Sequence, residues 1–416
     1  MLRIITQRSE AETELGRIKA RFQAPEIRLD LERVRDILET VKRQGDQAVL
    51  SYSGELDPQI LANFPIKVPG SELDAAYQQI SKELLDAIRL AAEKMADFHR
   101  LRLPKSWVHF PDNEITLGKR YHPLERAGIY LGDGGRADLS LLLRQAIPAQ
   151  VAQVPQVILM APPGQNGKIH PAILVAAQES GIKDIYRVGG PQAIASLAYG
   201  TETIPRVDVI TGYGDIDVTL AKKLVSDLVR IDGITPKSEL VIIADVTANP
   251  DLVALDLLAQ AEHHPLAAAI LLTTDLELAQ AVNTKISQEL QGSPQHIFTE
   301  KAIAHYGLAI VVESLGKAAS LANLLHPTHL QIVTDEPWDL LEQIRRAGTI
   351  LMGNSTPLIL GDYLGNIAVD TFLELSQVVE YSPNSLKLAS NYLEVLATAE
   401  DYGASLEALK RRNQIF

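Results

Sequence analysis

The apolar positions of this chain change their period partway along it. In Ser9–Phe22, Leu29–Tyr52 and Glu72–Arg102 they recur every three or four residues among many charges, which predicts helices. Pro25, Pro58 and the Pro65–Pro69 stretch separate these helices. A short extended segment is expected over Trp107–Leu117.

From Ala127 onward, short continuous apolar runs alternate with helical stretches. Strands are predicted at Gly128–Leu131, Val157–Met160, Asp184–Val188 and Val207–Ile210, separated by helices over 139–151, 170–180, 191–199 and 216–228. A second series runs through Leu240–Ala244, Ala267–Leu272, Leu308–Val312, Leu330–Val333 and Thr349–Met352. Apolar runs without polar alternation belong to strands buried on both faces. The expected fold class is therefore α/β, with two wound, Rossmann-like parallel-sheet domains, amino-terminal helices and a helical carboxy-terminal tail. The expected division is a helical segment over 1–25, a first α/β domain over 26–126 plus 239–370, a second over 127–238, and a tail over 371–416. The two series look alike in texture, but no sequence repeat relates them.

Composition narrows the function classes. The chain has 416 residues, enough for two or three domains, and a formal net charge of −13, which argues against nucleic-acid or anionic-membrane partners. It contains no cysteine, so disulfides, thiolate zinc sites and thiol nucleophiles are excluded. No apolar run approaches the roughly 18 residues of a membrane span, and MLRIITQRSE lacks a signal-peptide core; a cytoplasmic location is expected.

Five places carry candidate chemistry. In LLAQAEHHPLAAAILLTTD, Gln260 and His263 lie three residues apart and share one helix face, where an amide oxygen and an imidazole reach one metal ion. Taken alone, such a pair is ordinary surface decoration, with His263 capping the last carbonyls. Glu262 and His264 point to other faces. The run Val207–Asp215 leads from a strand through Gly212 and Gly214 into a helix, the backbone shape that binds anions. Asp215 would repel a pyrophosphate unless it holds a ribose hydroxyl or caps the helix. A second glycine cluster, Gly132, Gly134 and Gly135, follows the first wound strand, with Arg136 at its rim. His326 and His329 precede a strand, and either is a possible base. Asp362 follows a loop rich in glycine, asparagine and proline.

Three longer segments carry a resemblance. PLERAGIY (123–130), VGGPQAIASLAYGTETIPRVDVITG (188–212) and KSELVIIADVTANPDLVALDLLAQAEHHP (237–265) resemble the histidinol dehydrogenase family, in the same order and over nearly the whole chain. The resemblance implies a zinc-dependent homodimer that oxidises L-histidinol through the aldehyde to L-histidine with two NAD. By position, it implies Gln260, His263 and Asp362 as zinc ligands, Ser238 as a substrate contact, and Glu400 as a substrate contact from the partner subunit. It implies Tyr130 and Gln192 as cofactor contacts and His329 as a base.

The same resemblance marks departures. The family's second base, a glutamate that activates water, is Thr328 here, and its fourth zinc ligand, a histidine, is Ser405. Its cofactor-contacting asparagine is Asp215, and its Pro-Gly-Gly turn is Gly132-Asp133-Gly134. The chain is short between Asp362 and Glu400, where a family loop is not recognisable. Three expectations follow: an impaired histidinol dehydrogenase, a paralogue acting on another small amine or alcohol, or a non-catalytic dimeric binding protein.

Overall fold

A computed structural model of the chain describes residues 1–21, 27–54, 65–111, 115–132, 137–164, 166–233, 239–262, 265–291, 297–364 and 367–415. The strands, numbered in chain order, are β1 (Arg3–Ile5), β2 (Trp107–His109), β3 (Ile115–Pro123), β4 (Arg126–Leu131), β5 (Gln156–Met160), β6 (Asp184–Tyr186), β7 (Val209–Tyr213), β8 (Arg230–Ile231), β9 (Glu239–Ala244), β10 (Ala268–Thr273), β11 (Gly307–Val311), β12 (His329–Val333), β13 (Thr349–Met352) and β14 (Leu373–Tyr381). They form a six-stranded sheet, β1-β11-β10-β9-β12-β13, a five-stranded sheet, β6-β5-β4-β7-β8, and a three-stranded sheet, β14-β3-β2. Every pairing in the first two is parallel, and both pairings in the third are antiparallel.

The apolar runs explain the two parallel sheets. Along β9, Leu240, Ile242 and Ala244 pack into one core cluster while Val241 and Ile243 pack into another. Along β4, Tyr130 faces one cluster, and Ile129 and Leu131 face a second. Both sides of each sheet are thus covered by helices, as buried parallel strands require. Burying one such side chain contributes about 1.5–3 kcal/mol, so these runs dominate stability.

Three short elements depart from the sequence reading. Arg3–Ile5 is an edge strand beside β11, too short to show a period of its own. The helical reading from Leu29 to Tyr52 is interrupted at Gly45, whose φ of +54° ends one helix before Asp46–Gly54 begins. Within the carboxy-terminal stretch, Pro383–Ala399 and Gly403–Ile415 are helices, but Leu373–Tyr381 is a strand paired along its whole length with β3. Its Val378-Val379 pair breaks the alternation that marks a strand in sequence. Among the described residues, no helix is long and apolar enough to cross a membrane.

Helix Leu358–Leu364 links the two parallel sheets. It packs on helix Pro250–Glu262 from the six-stranded side and on helix Leu139–Val151 from the five-stranded side.

Candidate active site

The carboxyl edge of the five-stranded sheet holds the glycine turns. Gly212 ends β7 with a φ of +102°, and a side chain there would overlap the Tyr130 carbonyl oxygen. Lys222 Nζ donates to the Gly212 carbonyl at 2.7 Å, and Gly212 N donates to Asp232 Oδ2 at 2.9 Å. Lys222 and Asp232 themselves form a buried ion pair. Burial pushes the Asp232 carboxyl up from the usual carboxylate range, and Lys222 and the Gly212 amide oppose that shift. This network fixes the turn.

The surrounding residues close around Tyr130. A Cβ on Gly214 would stand 2.8 Å from the Tyr130 ring, so only glycine lets the backbone pass there. Gly132 approaches the same turn, its Cβ position 3.2 Å from the Tyr213 carbonyl oxygen. The Tyr130 hydroxyl accepts from Gly190 N at 3.0 Å, and the Gln192 side-chain oxygen lies 2.8 Å from the Cβ position of Gly190. Burial raises the Tyr130 hydroxyl well above its ordinary range. Asp215 Oδ1 accepts from Val218 N at 3.0 Å and so caps helix Ile216–Val225. Tyr130, Gln192 and Asp215 therefore gather at one sheet edge. Glycine at 190, 212 and 214 lets the backbone pack directly against Tyr130 and Gln192, and the strand-to-helix turns built in this way stand at the carboxyl edge, where wound α/β sheets take ligands. Asp133, Gly134, Gly135 and Arg136 lie outside the described residues.

The amino edge of the six-stranded sheet holds the second group. His329 begins β12 opposite Leu240 and Thr349, and it is buried. A Cβ on Gly361 would stand 2.9 Å from His329 Cδ2 and 3.3 Å from Nε2, so the imidazole lies against the helix that carries Asp362. Buried Thr328 donates its hydroxyl to Glu239 Oε2 at 3.1 Å. Glu239 Oε1 in turn pairs with buried Arg21 at 2.7 Å, so its charge is already engaged.

Asp256 positions the remaining groups. Its carboxylate accepts from Leu358 N at 3.1 Å and from Gln331 Nε2 at 2.9 Å, tying helix Pro250–Glu262 to the first turn of helix Leu358–Leu364. Gln260 is one turn beyond Asp256, and Asp362 one turn beyond Leu358. Both are buried. Arg144, on helix Leu139–Val151, brings Nη1 to 3.9 Å from Asp362 Oδ1. Nothing in the sequence reading pointed to Arg144, although it is the single charge in LSLLLRQAIPAQV, a signal that was available. Asp256 and Glu239 were missed too, because their partners lie in distant segments, and Lys222 because its partners Gly212 and Asp232 face it only once the turn is folded.

Ser238, His263 and His264 lie outside the described residues. Glu400, which caps helix Pro383–Ala399, and Ser405, on helix Gly403–Ile415, are exposed. His326 caps helix Leu315–Leu325 in the left-handed conformation, with a φ of 60°. Among the described residues, no three His, Asp or Glu side chains gather as metal ligands would. The donors named by the resemblance also suit zinc poorly: an amide, a neutral hydroxyl and a carboxylate that faces an arginine, beside one imidazole.

Comparison with known proteins agrees over the whole chain. The family profile described as "Histidinol dehydrogenase" matches residues 23–413. The protein called "Histidinol dehydrogenase 2" of Trichormus variabilis is 52% identical, covering 100% of this chain and 99% of that protein. The histidinol dehydrogenase of a Synechococcus species is 50% identical, again over 100% and 99% of the two chains. The crystal structure of histidinol dehydrogenase from Elizabethkingia anophelis superposes with a TM-score of 0.92 at 30% identity, covering 100% of this chain and 98% of that one.

Proposed function

Because the chain belongs to the histidinol dehydrogenase family, we propose that it is an NAD-linked dehydrogenase of L-histidinol that favours the first oxidation over the second. The observation that carries this reading is the contrast between two neighbours at the head of β12. His329 keeps a titratable ring against the helix of Asp362, whereas Thr328 offers only a hydroxyl already bound to Glu239.

When bound at these glycine turns, NAD supplies the hydride acceptor. Tyr130 and Gln192 would line its site, and Asp215 would contribute through the helix start that it caps. His329 takes the proton from the substrate hydroxyl, which lets the alcohol reach the aldehyde level. The second oxidation requires a water made nucleophilic beside the aldehyde. A threonine hydroxyl does not titrate near neutrality, and Glu239 is held by Arg21. Loss of a positioned general base removes roughly 10²–10⁴-fold in rate. The fold is unaffected, since these changes leave the apolar runs intact.

By the same reading the active unit is a homodimer, with Glu400 and Ser405 from one chain near the pocket of the other. The support is an exposed apolar surface on the three-stranded sheet and the terminal helices, which includes Trp107, Phe110, Val379, Leu388, Tyr392 and Val395. Light scattering that found only monomers would remove this part of the proposal. The catalytic part is tested by His329→Gln, which is expected to abolish NADH formation from L-histidinol while leaving NAD binding, followed by fluorescence quenching, unchanged.

A second reading, a paralogue acting on another small amine or alcohol, is favoured by Arg144. Its fixed charge stands beside Asp362 and would favour a substrate group that the resemblance does not call for.

A further inference from the structure

Helix Leu139–Val151 carries Arg144 as its single charge, and Leu142, Leu143, Ala146 and Ile147 around it are buried. A lone charge on such a helix has no solvated face to occupy. The guanidinium projects toward the junction of the two sheets, where its side chain is 22% exposed and that of Asp362 10% exposed. On one side it meets Asp362 at 3.9 Å. On the other it lies near Tyr213, beside the glycine turn. Burial first, and then Asp232, push the Tyr213 hydroxyl up to about 12, and the Arg144 charge acts in the opposite direction. The spacing to Asp362 exceeds a charge-assisted hydrogen bond, so the attraction is mainly electrostatic.

A guanidinium does not lose its proton at accessible pH. A divalent cation at Asp362 would therefore sit beside a fixed positive charge in a poorly screened site. One carboxylate cannot neutralise both.

We propose that Arg144 is the resident counter-charge of Asp362 and that it excludes a stoichiometric zinc ion from the site formed by Gln260 and Asp362. The inference rests on the reading that these residues line the substrate pocket, but it is independent of which alcohol is oxidised. Its consequence is a pocket in which a fixed, non-exchangeable cation occupies the place the family's metal would take.

The test is zinc titration of the full-length protein by calorimetry, with metal content measured after gel filtration. Arg144→Gln removes the charge, and Arg144→Lys keeps it. Arg144→Gln is expected to bind zinc on the order of 100-fold more tightly than the parent protein. Arg144→Lys is expected to stay close to the parent. Adding Asp362→Asn to Arg144→Gln should abolish the gain. The proposal is overturned if the parent retains one zinc per chain as tightly as Arg144→Gln, if Arg144→Gln gains nothing, if Arg144→Lys gains as much, or if the gain survives loss of Asp362. Circular dichroism establishes that each variant is folded. Turnover is not the readout, so a failure here is distinct from a failure of the proposed oxidation.

Discussion

The imidazole of His329 rests against the backbone of Gly361, leaving 2.9 Å between its Cδ2 and the point where a Cβ would stand. The absence of a side chain at Gly361 therefore sets the position of the ring relative to Asp362, the next residue. Gly361→Ala should displace the imidazole while its helix remains intact, because alanine favours a helix by about 1 kcal/mol over glycine. The expected outcome is a fall in kcat of roughly 10²-fold with an unchanged or raised melting temperature, since small misplacements of a base are costly. A variant that loses stability and activity in parallel would argue that Gly361 is only a packing position.

Thr328 offers a second check. Replacing it with valine removes the hydroxyl that donates to Glu239 Oε2. Denaturant unfolding should show a loss of about 1–3 kcal/mol, because a buried carboxylate oxygen is left with one partner fewer. The first oxidation should persist, since Thr328 takes no proton in it. Abolished aldehyde formation in a folded Thr328→Val protein would contradict that assignment.

The glycine turn makes a sharper prediction. A Cβ on Gly212 overlaps the Tyr130 carbonyl, and the φ of +102° is unsuited to other residues. Gly212→Ala should therefore weaken NAD binding by at least tenfold, or prevent soluble expression altogether. Unchanged NAD affinity would show that the cofactor lies elsewhere.

Acid sensitivity has a specific source. His99 is fully buried, and its ring nitrogens find no hydrogen-bond partner among the described residues. Burial first, and then nearby Arg102, lower its pKa from 6.5 to about 4. Between those values the unfolded chain binds a proton that the folded chain refuses, so stability falls as pH falls through this window. The loss reaches roughly 3 kcal/mol below the window. His99→Leu should flatten the dependence of unfolding free energy on pH between 7 and 4. A parent protein equally stable at both ends would contradict the assignment.

The wound strands were legible because β4, β5, β9 and β10 are dominated by unbroken apolar residues buried on both faces, and β12 is apolar but for His329 and Gln331. The strand β14 was hidden, since Val378-Val379 interrupts its alternation and most of its side chains are exposed. At the candidate site, Asp215 and His329 could be named because each sits at a strand or helix end that the pattern locates, whereas Gln192 was named by the family resemblance alone. Arg144 and Glu239 could not, because their meaning comes from Asp362 and Thr328, which only the folded chain brings near. Asp215 illustrates the limit: the sequence left open whether it caps a helix or meets a ribose, and the geometry shows the cap.

The most direct test of the account is the ratio of NADH to histidine formed when the purified protein is given L-histidinol and excess NAD. Turnover of roughly one per second for the first step, with NADH well above twice the histidine and an aldehyde trapped by a carbonyl reagent, is the predicted result. No NADH from a folded protein, or two NADH for every histidine with no trapped aldehyde, would contradict it.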